Sequence, residues 1–193
     1  MPAPTQLDGR RLRSERSRTA IVDAALALIR EGVLVPTAQQ ISDRAGVGIR
    51  TFFRHFEDME SLFSAVDADR HDAYVALFTL GEPDGALDRR LRHVVQQRAE
   101  AYDRAKNFFL SMQAQRWKSD VIRKNYARNQ RDLRSGLAHW LPELDSLAND
   151  KRQAAEAIAS FEFWHRLRTH QGLGRKASAE IVTSLLENLL APS

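Results

Sequence analysis

Residues 37–62 read TAQQISDRAGVGIRTFFRHFEDMESL. Thr37 and Gln40 have the T-x-x-Q spacing of a capping box, in which each side chain satisfies a free backbone N–H of the other residue. Pro36 holds the entry to this helix extended. Ile41 and Ala45 share its inner face. Gly46 supplies a backbone free to turn left-handed, and Val47 supplies an apolar plug. A second short helix is predicted over Ile49–His55. Asp58 then caps a longer one, which carries Leu62, Phe63, Val66, Tyr74 and Leu77 to about residue 80. Two short helices on a glycine turn, backed by a third, form a helix-turn-helix.

In such a unit the second helix lies in the major groove of DNA and its first residues meet base edges. Here those residues are Gly48, Ile49, Arg50 and Thr51. Arg50 has the fork to bond guanine O6 and N7 together, and Ile49 suits a thymine methyl. Thr51, Arg54 and His55 suit phosphates or nearby bases. Gln39 can reach adenine, and Thr37 can hold a phosphate beside its capping role. Phe52 and Phe56 are expected in a small core with Ile41, Val47 and Phe63.

Upstream, Ile21, Ala24, Ala25, Leu28 and Ile29 make one apolar helical face within a predicted helix over residues 14–31, ended by Gly32. From Arg18 to Val66 the chain resembles the tetracycline-repressor (TetR) family of bacterial regulators. The resemblance rests on Ile21, Ala24, Ala25 and Leu28; on Thr37, Ile41, Ala45, Gly46 and Val47; and on Thr51, Phe52, Arg54, His55, Phe56, Glu60 and Leu62. It covers about a quarter of the chain. It implies DNA binding through Arg18, Thr37, Gln39, Gly48, Ile49, Arg50, Thr51, Phe53, Arg54 and His55. Three positions depart from the family pattern. Phe53 stands where Tyr usually holds a phosphate, Met59 where Lys is usual, and Gly48 where Ser often caps the helix. Arg50, Arg54 and the upstream Arg10, Arg11, Arg13, Arg16 and Arg18 are expected to compensate for the lost contacts.

The 193 residues include 43% hydrophobic and 28% charged side chains, with a net charge of +4. That composition is globular and large enough for one domain or two small ones. The absence of cysteine excludes disulfides and thiolate chemistry. No apolar run approaches the roughly 20 residues that span a bilayer, and residues 1–18 lack the apolar stretch of a secretory signal. A cytoplasmic location is expected.

After the breaker GEPDG at residues 81–85, only helical periodicity recurs. Helices are predicted over 86–116 with a break near Asn107, then over 119–141, 147–170 and 176–190. The expected fold is all-α with about nine helices. The expected domains are a flexible basic arm at 1–13, a helix-turn-helix DNA-binding domain at 14–58, and a regulatory and dimerisation domain at 59–193. The resemblance implies a ligand cavity in the last of these. Phe78, His93, Tyr102, Phe108, Phe109, Met112, Trp117, Tyr126 and Trp140 are its candidate lining, suited to a small apolar or aromatic organic effector. A homodimer is expected through Ile158, Phe161, Trp164, His165, Ile181, Leu185, Leu186 and Leu189, because two recognition helices must read the two halves of a palindromic operator.

Other patterns are weaker. The run Gly172-Leu173-Gly174-Arg175-Lys176 lacks phosphate-loop spacing and reads as a helix–helix loop. Asp67, His71 and Asp72 lack a further metal ligand and read as a solvated face. No cofactor, metal or catalytic constellation is expected. Three functions therefore stand: a repressor released from double-stranded DNA by a small molecule, a DNA-binding regulator without such an effector, and, less favoured, an all-α enzyme.

Overall fold

The computed structural model describes residues 6–191. Among them are nine α-helices and no strands. They are α1 (Gln6–Arg30), α2 (Ala38–Ala45), α3 (Ile49–His55), α4 (Met59–Thr79), α5 (Leu87–Gln115), α6 (Asp120–Trp140), α7 (Asn149–Ile158), α8 (Phe161–His165) and α9 (Arg175–Leu190). A 3-10 turn (Pro142–Ser146) precedes α7, and a π-helical turn (Arg166–His170) follows α8. The chain forms two compact units. Unit 1 runs up to Arg70 and also takes in Asn107–Tyr126; unit 2 comprises His71–Lys106 and the described residues from Ala127 onward. The helix-turn-helix expected over 14–58 is thus part of a larger unit that draws in a distant stretch of chain.

Unit 1 is built on the apolar face of α1. Ile21, Ala25, Ile41, Phe52 and Leu62 are fully buried in one cluster, and Val47 and Met59 are partly buried against it. Gly46 closes α2 at φ 66°. Its N–H donates to the carbonyl of Asp43 and that of Val47 to Ser42, which satisfies the last carbonyls of α2 and turns the chain into α3. At the far end, Asn107 donates to the carbonyl of Arg30 (2.8 Å). Ser111 and Gln115 donate to that of Leu34 (2.7 and 3.1 Å). Carbonyls that α1 and its following loop would leave unpaired are thereby satisfied.

Unit 2 packs Phe78, Leu91, Tyr102, Leu137, Leu144, Phe161 and Leu186 into its core. Arg90 pairs with Glu143 and donates to the carbonyls of Trp140 (2.9 Å) and Gly85 (3.1 Å). A Cβ on Gly136 would lie 3.1 Å from the carbonyl oxygen of Phe78, a tight contact that glycine avoids where α6 passes the end of α4.

Three helix expectations are corrected. Residues 6–13, read as a flexible arm, continue α1; residues 1–5 of that arm lie outside the described residues. Arg, Leu and Glu are strong helix formers, Arg11 donates to Glu15 one turn on (3.1 Å), and a lone Gly9 costs only about 1 kcal/mol. The break near Asn107 is absent; its amide serves Arg30 instead. The helix predicted over 147–170 is interrupted after Ile158, where Ser160 accepts from the N–H of Phe163 (3.2 Å) and starts α8.

Candidate nucleic-acid interface

The N–H of Thr37 donates to Gln40 Oε1 (2.9 Å), and the N–H of Gln40 donates to Thr37 Oγ1 (3.2 Å). The reciprocal pair fixes where α2 begins, and leaves Thr37 exposed at its start. Gln39, also exposed, donates from Nε2 to Asp43 Oδ1 (2.7 Å), so its amide is held along α2.

Helix α3 has two faces. Phe52 and Phe56 are buried, with ring centroids 5.9 Å apart, and Ile49 packs partly buried on the same cluster. Arg50, Phe53 and Arg54 are exposed, and Thr51 and His55 are half-buried at the edges. Gly48 caps α3 in an extended conformation with no side-chain bond. Arg50 and Arg54 have no carboxylate within ion-pairing distance among the described residues. By contrast Arg44, on α2, is held by Glu31, whose carboxyl that bond keeps below its ordinary range. The outward face of α3 therefore carries two unneutralised guanidinium groups on a rigid apolar base.

Arg18, from α1, sits with its guanidinium 5.4 Å from the centre of the Phe56 ring. His55 is pushed below the ordinary histidine pKa by burial first, then by Arg54 and Arg18. It is a neutral imidazole near pH 7, so the positive charge of this face is arginine charge.

The two replaced phosphate positions differ in kind. Phe53 is 53% exposed, with its ring edge-on to Phe52 at 5.2 Å. It offers an apolar surface where a hydroxyl is usual. Met59 is turned into the core cluster. Phe63 is corrected: it lines a void of about 30 Å³ with Phe108, Met112 and Gln115, outside the Ile41–Phe52 cluster.

The residues expected around a ligand cavity are divided between the two units. Phe78, His93, Tyr102 and Trp140 belong to unit 2; Phe108, Phe109, Met112, Trp117 and Tyr126 belong to unit 1. Phe78 and Tyr102 pack ring to ring at 5.5 Å, and His93 stacks on Trp140 at 4.3 Å. Phe109 is core, and Met112 borders the 30 Å³ void, which has room for about one water. Arg116 lies 4.6 Å from the Trp117 ring and 4.8 Å from that of Tyr126. Trp117 is 79% exposed, an open ring instead of a cavity wall. Aromatic content marks what fills space, and close packing leaves little of that space empty.

The expected dimer residues also divide. Phe161, Trp164 and Leu186 are buried within unit 2, so these three are corrected to core. Ile158 and His165 are half-buried. Ile181, Leu185 and Leu189 recur every fourth residue on one face of α9 and are partly open, Leu185 by 37%. His71 lies 3.4 Å from Asp132, and the described residues contain no cluster able to hold a metal. No helix is long and apolar enough to cross a membrane among the described residues.

Residues 21–66 match the model of the bacterial regulatory proteins, tetR family. No curated protein matches the chain. Solved structures share its fold over nearly the whole length. A transcriptional regulator from Rhodococcus sp. Rha1 is 16% identical with a TM-score of 0.69, over 92% of this chain and 95% of that one. A TetR transcriptional regulator from Rhodococcus sp. RHA1 is 17% identical with a TM-score of 0.58, over 92% and 97%. The multidrug binding protein EbrR, complexed with imidazole, is 16% identical with a TM-score of 0.59, over 91% and 96%.

Proposed function

We propose, from the match of residues 21–66 to the model of the bacterial regulatory proteins, tetR family, that this chain is a homodimeric repressor that binds a palindromic operator and is released by a small organic molecule. The observation that carries the DNA-binding half is the outward face of α3, where Arg50 and Arg54 stand unpaired on the buried Phe52 and Phe56. Arg50 reads guanine in the major groove, while Arg54, Thr37 and Arg18 hold phosphates. Phe53 makes apolar contact with the sugar or a thymine methyl. The stripe Ile181, Leu185 and Leu189, with Ile158, joins a second copy. Two α3 helices then address half-sites about 34–36 Å apart. The protein acts in the cytoplasm.

The effector half draws support from the fold shared with EbrR, a multidrug binding protein. A ligand releases DNA only by binding one conformation of the dimer better than the other. A second reading keeps the DNA binding and drops the small molecule. It is favoured by the filling of unit 2 around Phe78, Tyr102 and Trp140, where a cavity was expected.

Footprinting on the DNA upstream of its own gene tests the proposal. A symmetric protected site, weakened by Arg50→Ala, supports it. Uniform binding without sequence preference at low salt sinks it.

A further inference from the structure

Unit 2 has an open cleft of about 310 Å³ between α5, α8, the π-helical turn and the loop before α9. We propose that this cleft binds a small organic anion with an aromatic body. This rests on the reading that the protein senses a small molecule, and it names that molecule's chemistry.

The volume falls at the lower end of small-ligand sites, roughly 300–1,000 Å³. Its floor is aromatic. Phe161 lies nearly parallel to His165 (18°, centroids 5.4 Å) and edge-on to Tyr102 (69°, 5.7 Å). Trp164 lines the same cleft. Burial, Lys106 and His170 lower the pKa of His165, in that order and against the opposing Glu162, so its ring, stacked on Phe161, is uncharged near pH 7. One wall is the turn Arg166–His170, a π-helical distortion of the kind that recurs at functional sites.

The charge of the cleft is unbalanced. Its one carboxylate, Asp103, is already committed. It accepts from Trp164 Nε1 (2.9 Å) and faces Arg168 Nε (3.6 Å) and Arg175 Nε (3.7 Å). Arg168 is pinned by its bond to the carbonyl of Leu173 (2.6 Å). Lys106, on the rim, has no ion pair among the described residues. A cationic guest would meet Lys106 and Arg168 with no free carboxylate. An anionic guest would meet an ammonium with nothing else to bind, beside a flat apolar floor. A flat ring against the half-buried His165, which Phe161 backs, with a carboxylate toward Lys106 uses both features.

The test compares 1-naphthoate, 1-naphthamide and 1-naphthylmethylamine by calorimetry on the full-length protein. Naphthoate should bind roughly 1.5- to fivefold tighter than the amide, the range for an exposed ion pair, and the amine should bind weakest. Lys106→Gln, an exposed change that spares the core, should erase the preference for naphthoate, and Lys106→Arg should keep it. Equal affinities for acid and amide, no naphthoate binding at its solubility limit, or a Lys106→Gln protein with unchanged preference would overturn the proposal. Operator occupancy is read in parallel. Binding at Lys106 without release of DNA leaves the cleft standing and removes the effector reading. Release by any compound with Lys106→Gln unchanged does the reverse.

Discussion

Arg98 donates from Nη1 to the hydroxyl of Tyr102 at 3.0 Å, one turn along α5, and both groups also donate to the carbonyl oxygen of Ala159, at 3.1 and 2.8 Å. Arg98 is only 5% exposed, and its Nη2 reaches the carbonyl of Leu133 at 2.5 Å. Among the described residues this buried guanidinium has no carboxylate partner; carbonyl and hydroxyl oxygens hold it, with the Phe78 ring 5.7 Å away. Its position makes sense at Ala159, where α7 ends before Ser160 opens α8: a cation suits the negative end of a helix. Replacing Arg98 with Ala removes its bonds to Tyr102, Ala159 and Leu133 and leaves a void. We expect a loss of about 2–4 kcal/mol in urea unfolding. Tyr102→Phe removes two bonds of the set, one accepted from Arg98 and one donated to Ala159, and should cost about 1–3 kcal/mol. An Arg98→Ala protein as stable as the parent would show that the network contributes nothing.

Arg50 and Arg54 should separate by what they read. Both are exposed and unpaired, but Arg50 lies in the first turn of α3 and Arg54 in its last. Arg50→Ala should cost about 1–3 kcal/mol against the preferred operator and relax selection at one base pair. Arg54→Ala should weaken all sequences alike and flatten the salt dependence by a slope of about one. Fluorescence anisotropy on the operator and on single-base variants, across salt concentrations, gives both quantities. Identical profiles for the two variants would refute the division of labour.

The helix-turn-helix was legible because its signals are local. The Thr37–Gln40 box, the turn at Gly46 and the inward spacing of Phe52 and Phe56 each lie within one or two turns of chain. The errors arise where distance decides. Arg98 reads in sequence as one more solvated helix residue; its burial depends on Leu133 and Ala159, 35 and 61 residues away. The break before Ser160 is hidden because apolar spacing runs on through Phe161 and Trp164. Lys106 and Asp103 carry no periodic signal, and they share a cleft only because α8 and the loop after it fold back onto α5. The aromatic residues misled in the opposite sense, since Phe78 and Trp140 look the same in sequence whether they line a void or fill it.

Acid should destabilise the protein through two histidines. The folded-state pKa values of His55 and His165 lie below the ordinary 6.5, in both cases chiefly through burial. Below that ordinary value the unfolded chain takes up a proton that the folded chain resists. The folded state therefore loses stability as pH falls from about 6.5 toward the depressed folded pKa, and nothing is lost above it. Glu143 adds to the acid loss at lower pH, because its bond to Arg90 keeps its carboxyl below the usual range and that stabilisation vanishes on protonation. Thermal melts from pH 8 to pH 5 should show Tm falling below pH 6.5. His55→Gln with His165→Gln should flatten that limb while leaving the glutamate limb. A Tm that rises on acidification through this window would contradict the assigned direction.

The α9 stripe makes the last prediction. Val182, Leu186 and Leu190 are buried in unit 2, while Ile181, Leu185 and Leu189 occupy the neighbouring face and stay partly open. An apolar row that its own unit does not cover, on a chain proposed to present two α3 helices to one operator, is expected to meet its copy across a two-fold axis. There each Leu185 would face the equivalent stripe. Placing Glu at 185 buries two like charges in that seam. The dimer dissociation constant should rise at least about 30-fold, the equivalent of roughly 2 kcal/mol for a central contact. Operator affinity should fall with it, because the paired half-sites are no longer read together. The monomer should keep its helical circular dichroism, since Leu185 fills no core. Leu186→Ala is the contrast: that side chain is fully buried, so the change should cost about 2–5 kcal/mol in unfolding. Light scattering across a dilution series reads the dissociation constant directly. A Leu185→Glu protein that stays dimeric at the parent's concentration would move the interface off this face.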